Sequence, residues 1–181
     1  MRIAISTGGG DAPGLNAVIR AATLSALSRG WSVLGIKRGY AGLLGDDEIV
    51  PLTVESVRNI GHLGGTVLRT TNRGSPFDFP RQLPDGTWTS VDRSDEMIEN
   101  ARNLGIQAMI SIGGDGSLAI AQKLVDKGMR IVGVPKTIDN DVSCTVTTFG
   151  FDTAVQTAIE AIDKLQTTAE SQDRKSTRLN S

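Results

Sequence analysis

Pro135-Lys136-Thr137-Ile138-Asp139-Asn140-Asp141 follows the apolar run Ile131-Val132-Gly133-Val134, and this junction decides how the rest of the chain is read. An apolar run of that length, ended by a proline and then by polar residues, is the pattern of a buried strand that delivers its polar groups at its C-terminal end. Open α/β sheets bind ligands at that end. If the chain stays extended beyond Pro135, Thr137, Asp139 and Asp141 project to one side, and Lys136, Ile138 and Asn140 to the other. Two carboxylates then share one site. Such a pair can divide the labour of phosphoryl transfer, one accepting the proton of an attacking hydroxyl and the other helping to hold a metal-bound phosphate. The plainer alternative is an Asx-rich turn that closes a strand.

Working outward, Ala108-Met109-Ile110-Ser111-Ile112 predicts a second strand, and Gly113-Gly114-Asp115-Gly116-Ser117 separates it from a helix over 117–127. The glycines let the backbone approach a polyphosphate, Ser117 can cap the helix or touch a phosphate oxygen, and Asp115 can hold Mg²⁺ directly or through water. An ordinary Asp-Gly turn capped by serine is the alternative. At the N-terminus Ile3-Ala4-Ile5-Ser6 predicts a third strand. It is followed by Thr7-Gly8-Gly9-Gly10-Asp11-Ala12-Pro13-Gly14 and a helix over 15–28, whose stripe is Leu15, Val18, Ile19, Ala22, Leu24 and Leu27, with Gly30 as its stop. Backbone N–H groups of that turn can meet a phosphate while the helix dipole adds positive charge, with tight packing as the alternative. No Gly-Lys-Ser/Thr follows, so this is not the Walker pattern. In a parallel sheet the loops after Ile5, Ile112 and Val134 emerge at one edge and converge on one crevice.

Between these motifs, Ser32-Val33-Leu34-Gly35-Ile36 predicts a strand, and Lys37 to Gly45 a loop whose two cations and Tyr40 could wrap a nucleotide. A helix is expected over 54–60, then the basic, polar run Arg69-Thr70-Thr71-Asn72-Arg73-Gly74. Residues 75–90 are rich in Pro, Asp and Gly. Asp85-Gly86, between Arg81-Gln82-Leu83 and Thr87-Trp88-Thr89, predicts a hairpin excursion on the surface. The alternation resumes with a helix over 92–104. Repeated β-α-β units with short loops imply a Rossmann-like α/β fold, its mostly parallel sheet covered by helices on both faces.

At 181 residues the chain is long enough for one sizeable domain. Nineteen basic residues against 20 acidic give a net charge of −1, which provides no global field for nucleic acid or an anionic membrane, so a phosphate site must be local. The single cysteine, Cys144, excludes an intrachain disulfide framework, and a Cys/His nucleophile would rest on the single histidine, His62. Ile3-Ala4-Ile5 is too short for a signal-peptide core and no run reaches membrane-spanning length. The expectation is a soluble, cytoplasmic protein.

Taken together and in this order, Gly9-Gly10-Asp11-Ala12-Pro13-Gly14-Leu15-Asn16, Gly113-Gly114-Asp115-Gly116-Ser117 and Pro135-Lys136-Thr137-Ile138-Asp139-Asn140-Asp141 resemble the 6-phosphofructokinase family. The resemblance runs over residues 1–174, the N-terminal half of such an enzyme. It implies the donor-binding domain of that fold, transfer of a phosphoryl group from ATP to the 1-hydroxyl of fructose 6-phosphate, Mg²⁺, and a homo-oligomer when complete. Under it Gly10, Tyr40, Arg73, Gly114, Asp115, Gly116 and Ser117 bind the donor and Asp115 binds the metal. Asp139 is the general base, Lys136 and Thr137 assist the transfer, and Thr137, Ile138 and Asp139 meet the sugar phosphate. Arg174 falls where the family places an arginine that reaches a neighbouring subunit's sugar-phosphate site. Arg69 stands where the family more often has glycine, and residues 175–181 read as a tail foreign to it, so the chain is expected to lack turnover by itself. Glycine at 116 goes with ATP, because a carboxylate there would occupy and repel the α-phosphate. Lysine at 136 is more typical of pyrophosphate users, so the resemblance favours ATP and keeps pyrophosphate as the alternative donor. The Gly-Gly-Asp-Gly turn alone also fits lipid or NAD kinases, or a nucleotide-binding domain without turnover.

Overall fold

A computed structural model describes residues 1–45, 49–71 and 74–171. Its central sheet has five strands: β1 (Arg2–Thr7), β2 (Ser32–Ile36), β3 (Ile49–Leu52), β6 (Ala108–Gly113) and β7 (Ile131–Pro135), in the order β3-β2-β1-β6-β7. All neighbours are parallel except β2 and β3. The helices are α1 (Leu15–Leu27), α2 (Ser94–Asn103), α3 (Asp115–Asp126) and α4 (Phe151–Ser171), and a 3-10 helix spans Gly39–Leu43. β4 (Phe79–Gln82) and β5 (Trp88–Val91) form a separate antiparallel pair, the expected hairpin excursion.

The period-2 alternation of the strands divides the core into two layers. Ile3 and Ile5 of β1 pack with Leu15 and Ile19 of α1 on one face. Ala4 of β1 and Met109 of β6 pack with Met97 of α2 and Leu124 of α3 on the other. Each fully buried Ile or Leu contributes about 1.5–3 kcal/mol, and these two layers hold the central strands in register. The chain builds β2 on one side of β1 and later returns to build β6 on the other. The C-terminal ends of β1 and β6 therefore flank the point where the strand order reverses, which is where a parallel sheet opens a crevice.

Several local expectations are overturned. Residues 54–60 are not a helix: Thr53 and Ser56 exchange hydrogen bonds as a capping box, but Asn59 adopts a left-handed φ of 57° and stops the coil after one turn. The antiparallel strand β3 was hidden by Pro51, which an outer strand tolerates because it lacks only one donor. β7 is not buried on both faces; it lies at the end of the sheet, with Val132 64% exposed. The loop over 37–45 contains the 3-10 turn, and α4 was not anticipated. Residues 172–181, including Arg174 and the expected tail, lie outside the described residues, as does Arg73.

Candidate active site

The loops after β1, β6 and β7 do converge. They line one cleft of about 490 Å³ with residues 8–11, 114–117, 136–139 and Asp141, joined by Gly39 and Tyr40 and by Thr71, Gly74 and Ser75 from the crossing before the hairpin. Every expected site residue that is described, from Gly10 and Tyr40 to Lys136, Thr137, Ile138 and Asp139, faces this space. Cys144 and His62 are not among its lining residues. Asp11, Thr71 and Ser75 were not singled out by sequence reasoning. A carboxylate inside a glycine turn was the available signal for Asp11.

The close approach of the first two loops depends on missing side chains. Gly8 N–H donates to the Ile112 carbonyl at 2.9 Å, and a Cβ at Gly8 would lie 2.5 Å from Ser117 Oγ. A Cβ at Gly113 would come 2.5 Å from Ser117 Cβ. Ser117 therefore packs on both glycine backbones and is not a helix cap. α3 starts two residues earlier than expected, at Asp115, with Gly114 as its N-cap and no capping side chain. That leaves the first amides of α3, together with its dipole, at the cleft.

α1 is arranged otherwise. Its N-cap Gly14 lies under Phe149, whose Cδ2 would be 2.9 Å from a Cβ there, and residues 12–16 do not line the cleft. The start of α1 is thus turned away from the cleft, whereas the turn at 8–10 lines it. Tyr40 stands behind α3. It is buried, its hydroxyl donates to the Ser117 carbonyl at 3.1 Å and is hydrogen-bonded to Ser111 Oγ at 2.7 Å. Burial pushes this phenol up to about 12, with the Ser111 hydrogen bond pulling the other way.

After Pro135 the chain does not remain extended, because Thr137 closes a tight turn. Its hydroxyl donates to Asp141 Oδ1 at 2.9 Å and accepts the Asp139 N–H at 3.0 Å, and Asn140 takes a left-handed φ of 53°. The turn alternative was right about the backbone. The paired-carboxylate reading was right about where the groups are delivered. Asp141 is tied down, whereas the Asp139 carboxylate accepts no hydrogen bond from a described residue and is exposed. Lys136 and Asp139 therefore share one cleft rather than opposite sides. Lys136 is 4% exposed and its ammonium donates to the Gly10 carbonyl, bridging the first and third loops. Burial lowers its pKa, while the charges of Asp11 and Asp139 pull it back up.

Among the described lining residues there is one ammonium and four carboxylates, Asp11, Asp115, Asp139 and Asp141. A polyphosphate would be repelled by that set unless a divalent cation bridged them, so the donor set fits Mg²⁺. No three His, Cys, Asp or Glu side chains among the described residues are grouped to cage a metal, so the remaining ligands would be phosphate oxygens and water.

A family model described as "Phosphofructokinase" matches residues 2–177. An ATP-dependent 6-phosphofructokinase 2 of Clostridium perfringens is 49% identical over 174 residues, 96% of this chain and 47% of the relative. A pyrophosphate–fructose 6-phosphate 1-phosphotransferase of Amycolatopsis mediterranei is 46% identical over 176 residues, 96% of this chain and 48% of the relative. The phosphofructokinase structure from Saccharomyces cerevisiae superposes with a TM-score of 0.73 at 31% identity, covering 94% of this chain and 24% of that one. The chain spans about half the length of the curated relatives it matches.

Proposed function

This chain belongs to the phosphofructokinase family, and from that premise we propose that residues 1–174 are the donor-binding domain of an enzyme that moves the terminal phosphoryl group of ATP onto the 1-hydroxyl of fructose 6-phosphate. The observation that carries the reading is the meeting in one cleft of the α3 N-terminus, the buried Lys136 ammonium and an exposed Asp139 carboxylate. Asp139 takes the proton of the attacking hydroxyl as the new O–P bond forms and the bond to the leaving phosphate breaks. The main chain of Asp139 is oriented by Thr137, which also faces the transferring group and, with Ile138, the sugar end. Lys136 and the amides of 114–117 offset the charge on the transferring oxygens. Arg73 and Arg174 are assigned to the donor and to a neighbouring subunit's sugar phosphate by the resemblance alone. Mg²⁺, held by Asp115 and the donor, would neutralise phosphate charge. The complete enzyme is proposed to be a cytoplasmic homo-oligomer, the chain alone to lack turnover, and residues 175–181 to lie outside the domain.

ATP is favoured as donor because a Cβ at Gly116 would meet nothing within 4 Å, leaving the room that an α-phosphate needs. Pyrophosphate is the second reading, supported by Lys136 and by the Amycolatopsis relative. The test joins this chain to the remaining half of the Clostridium relative and measures fructose 1,6-bisphosphate formation with MgATP and with pyrophosphate. Formation from MgATP at the higher kcat/KM supports the assignment; a preference for pyrophosphate moves it to the second reading; phosphorylation of a lipid or of NAD alone removes both.

A further inference from the structure

We propose that Asn16 is a positioning residue for the donor side of the cleft, an inference that rests on the phosphofructokinase reading above. Asn16 is the second residue of α1, is 1% exposed and does not line the cleft. Its side chain makes three hydrogen bonds, all to the main chain of one crossing. Nδ2 donates to the carbonyls of Leu63 at 3.0 Å and Gly65 at 2.8 Å, and Oδ1 accepts the Val67 N–H at 2.9 Å. Residues 63–67 belong to no strand or helix, so this buried amide supplies the partners that a neighbouring strand would otherwise provide.

From that anchor the chain is laced to the glycine turn. Thr66 N–H donates to Asp11 Oδ1 at 3.0 Å, Thr7 Oγ1 donates to the Arg69 carbonyl at 2.8 Å, and Thr70 Oγ1 donates to the Gly9 carbonyl. Gly9 N–H donates in return to the Thr71 carbonyl at 3.2 Å. Gly9, Asp11 and Thr71 all line the cleft. Asn16 thus fixes one end of a strap whose other end fixes the backbone facing the donor. Gly9, at a φ of 78°, is free to sample other conformations once the strap loosens. A purely structural asparagine would lower stability without changing the order of Gly9.

The experiment compares wild type, Asn16→Ala, Asn16→Asp and Ile19→Val, using amide hydrogen exchange on the unliganded chain and calorimetric binding of MgATP and of pyrophosphate. Asn16→Asp keeps the acceptor for Val67 but sets a carboxylate oxygen against the two carbonyls. Ile19→Val trims the same helix on its core side and controls for lost stability. Gly9 exchange and donor dissociation constants should rise at least about tenfold in both Asn16 variants and change less than about twofold in Ile19→Val. Gly9 protection equal to wild type in the Asn16 variants overturns the proposal, as does a rise of the same size in Ile19→Val. A wild-type chain that binds neither donor sinks the functional reading instead, and the exchange result still decides the strap. If neither Asn16 variant folds, wild-type exchange in increasing denaturant decides: Gly9 and Val67 opening as one unit supports the strap, and separate opening overturns it.

Discussion

Asp139 and Asp141 are two residues apart and chemically identical, yet the turn gives them different work. Thr137 donates its hydroxyl proton to Asp141, so Asp141 holds the turn, and the Asp139 carboxylate is left open to the cleft for the proton transfer proposed above. In the chimera, Asp139→Asn should lower kcat by about 10²–10⁴-fold with the donor KM nearly unchanged, the usual worth of a positioned general base. A variant that keeps more than about a tenth of the rate removes Asp139 from that role. Tyr40 offers a second test, since it is the only tyrosine. Its phenolate absorbance should titrate toward 12 rather than the ordinary 10. Because the folded state holds the proton more tightly, the stability this gives is present below pH 10 and is lost as pH rises through about 12. Tyr40→Phe should flatten the fall in denaturation midpoint above pH 10. A phenolate midpoint near 10 in the folded chain would show that the hydroxyl is solvated and does not brace Ser117. That Asp139 and Asp141 are delivered to the cleft was legible in the sequence, because polar residues stand there at the end of an apolar strand. The division between the two aspartates was not, because it depends on one hydroxyl rotor and a left-handed Asn140 that no period-2 argument contains.

At the scale of elements, strands β1, β2 and β6 were legible nearly to the residue, since each is an apolar run bounded by glycine or polar punctuation. What failed were the places where local propensity was overruled from outside. Asn59 stopped a capped helix after one turn, and β7 reads as buried although nothing described covers Val132. The start of α3 matters most, because beginning at Asp115 rather than Ser117 changes Gly116 from a loop residue into a first-turn position facing the cleft. A carboxylate there would project into open space beside the helix amides, where the proposed ATP would place its α-phosphate. Gly116→Asp in the chimera should therefore reduce kcat/KM for MgATP by at least about a hundredfold, from charge repulsion in a partly desolvated site. Activity with pyrophosphate, which has no α-phosphate to displace, should fall much less. Equal losses with both donors, or unchanged use of ATP, would remove the steric gate and the main support for ATP.

The molecule as a whole is well packed at its centre and open on one flank. Ile5, Ile19, Ile112 and Leu124 are fully buried, whereas α4 buries none of its 21 residues. Val155, Ile159, Ile162 and Leu165 recur at three- and four-residue spacing along α4, and the last two are 61% and 68% exposed. They form one apolar face, and β7 beside the core adds Val132 and a sheet edge with no partner among the described residues. Most of a helix's stability in a protein comes from packing its apolar face, which gains about 25 cal/mol for each Å² it buries against something. In the enzyme proposed above, the remaining half is the natural cover. The 181-residue chain alone has only other copies of itself, so it should associate. Sedimentation velocity should show mass rising with concentration, and the double variant Ile162→Glu/Leu165→Lys should shift the boundary toward the monomer, because charges at the centre of the stripe make its burial costly. The core layers do not involve these positions, so the variant should keep the Tyr40 titration of the folded sheet. A wild-type chain that sediments as a monodisperse monomer and unfolds in one sharp transition would show that α4 is satisfied in water, and that its apolar spacing is not an interface.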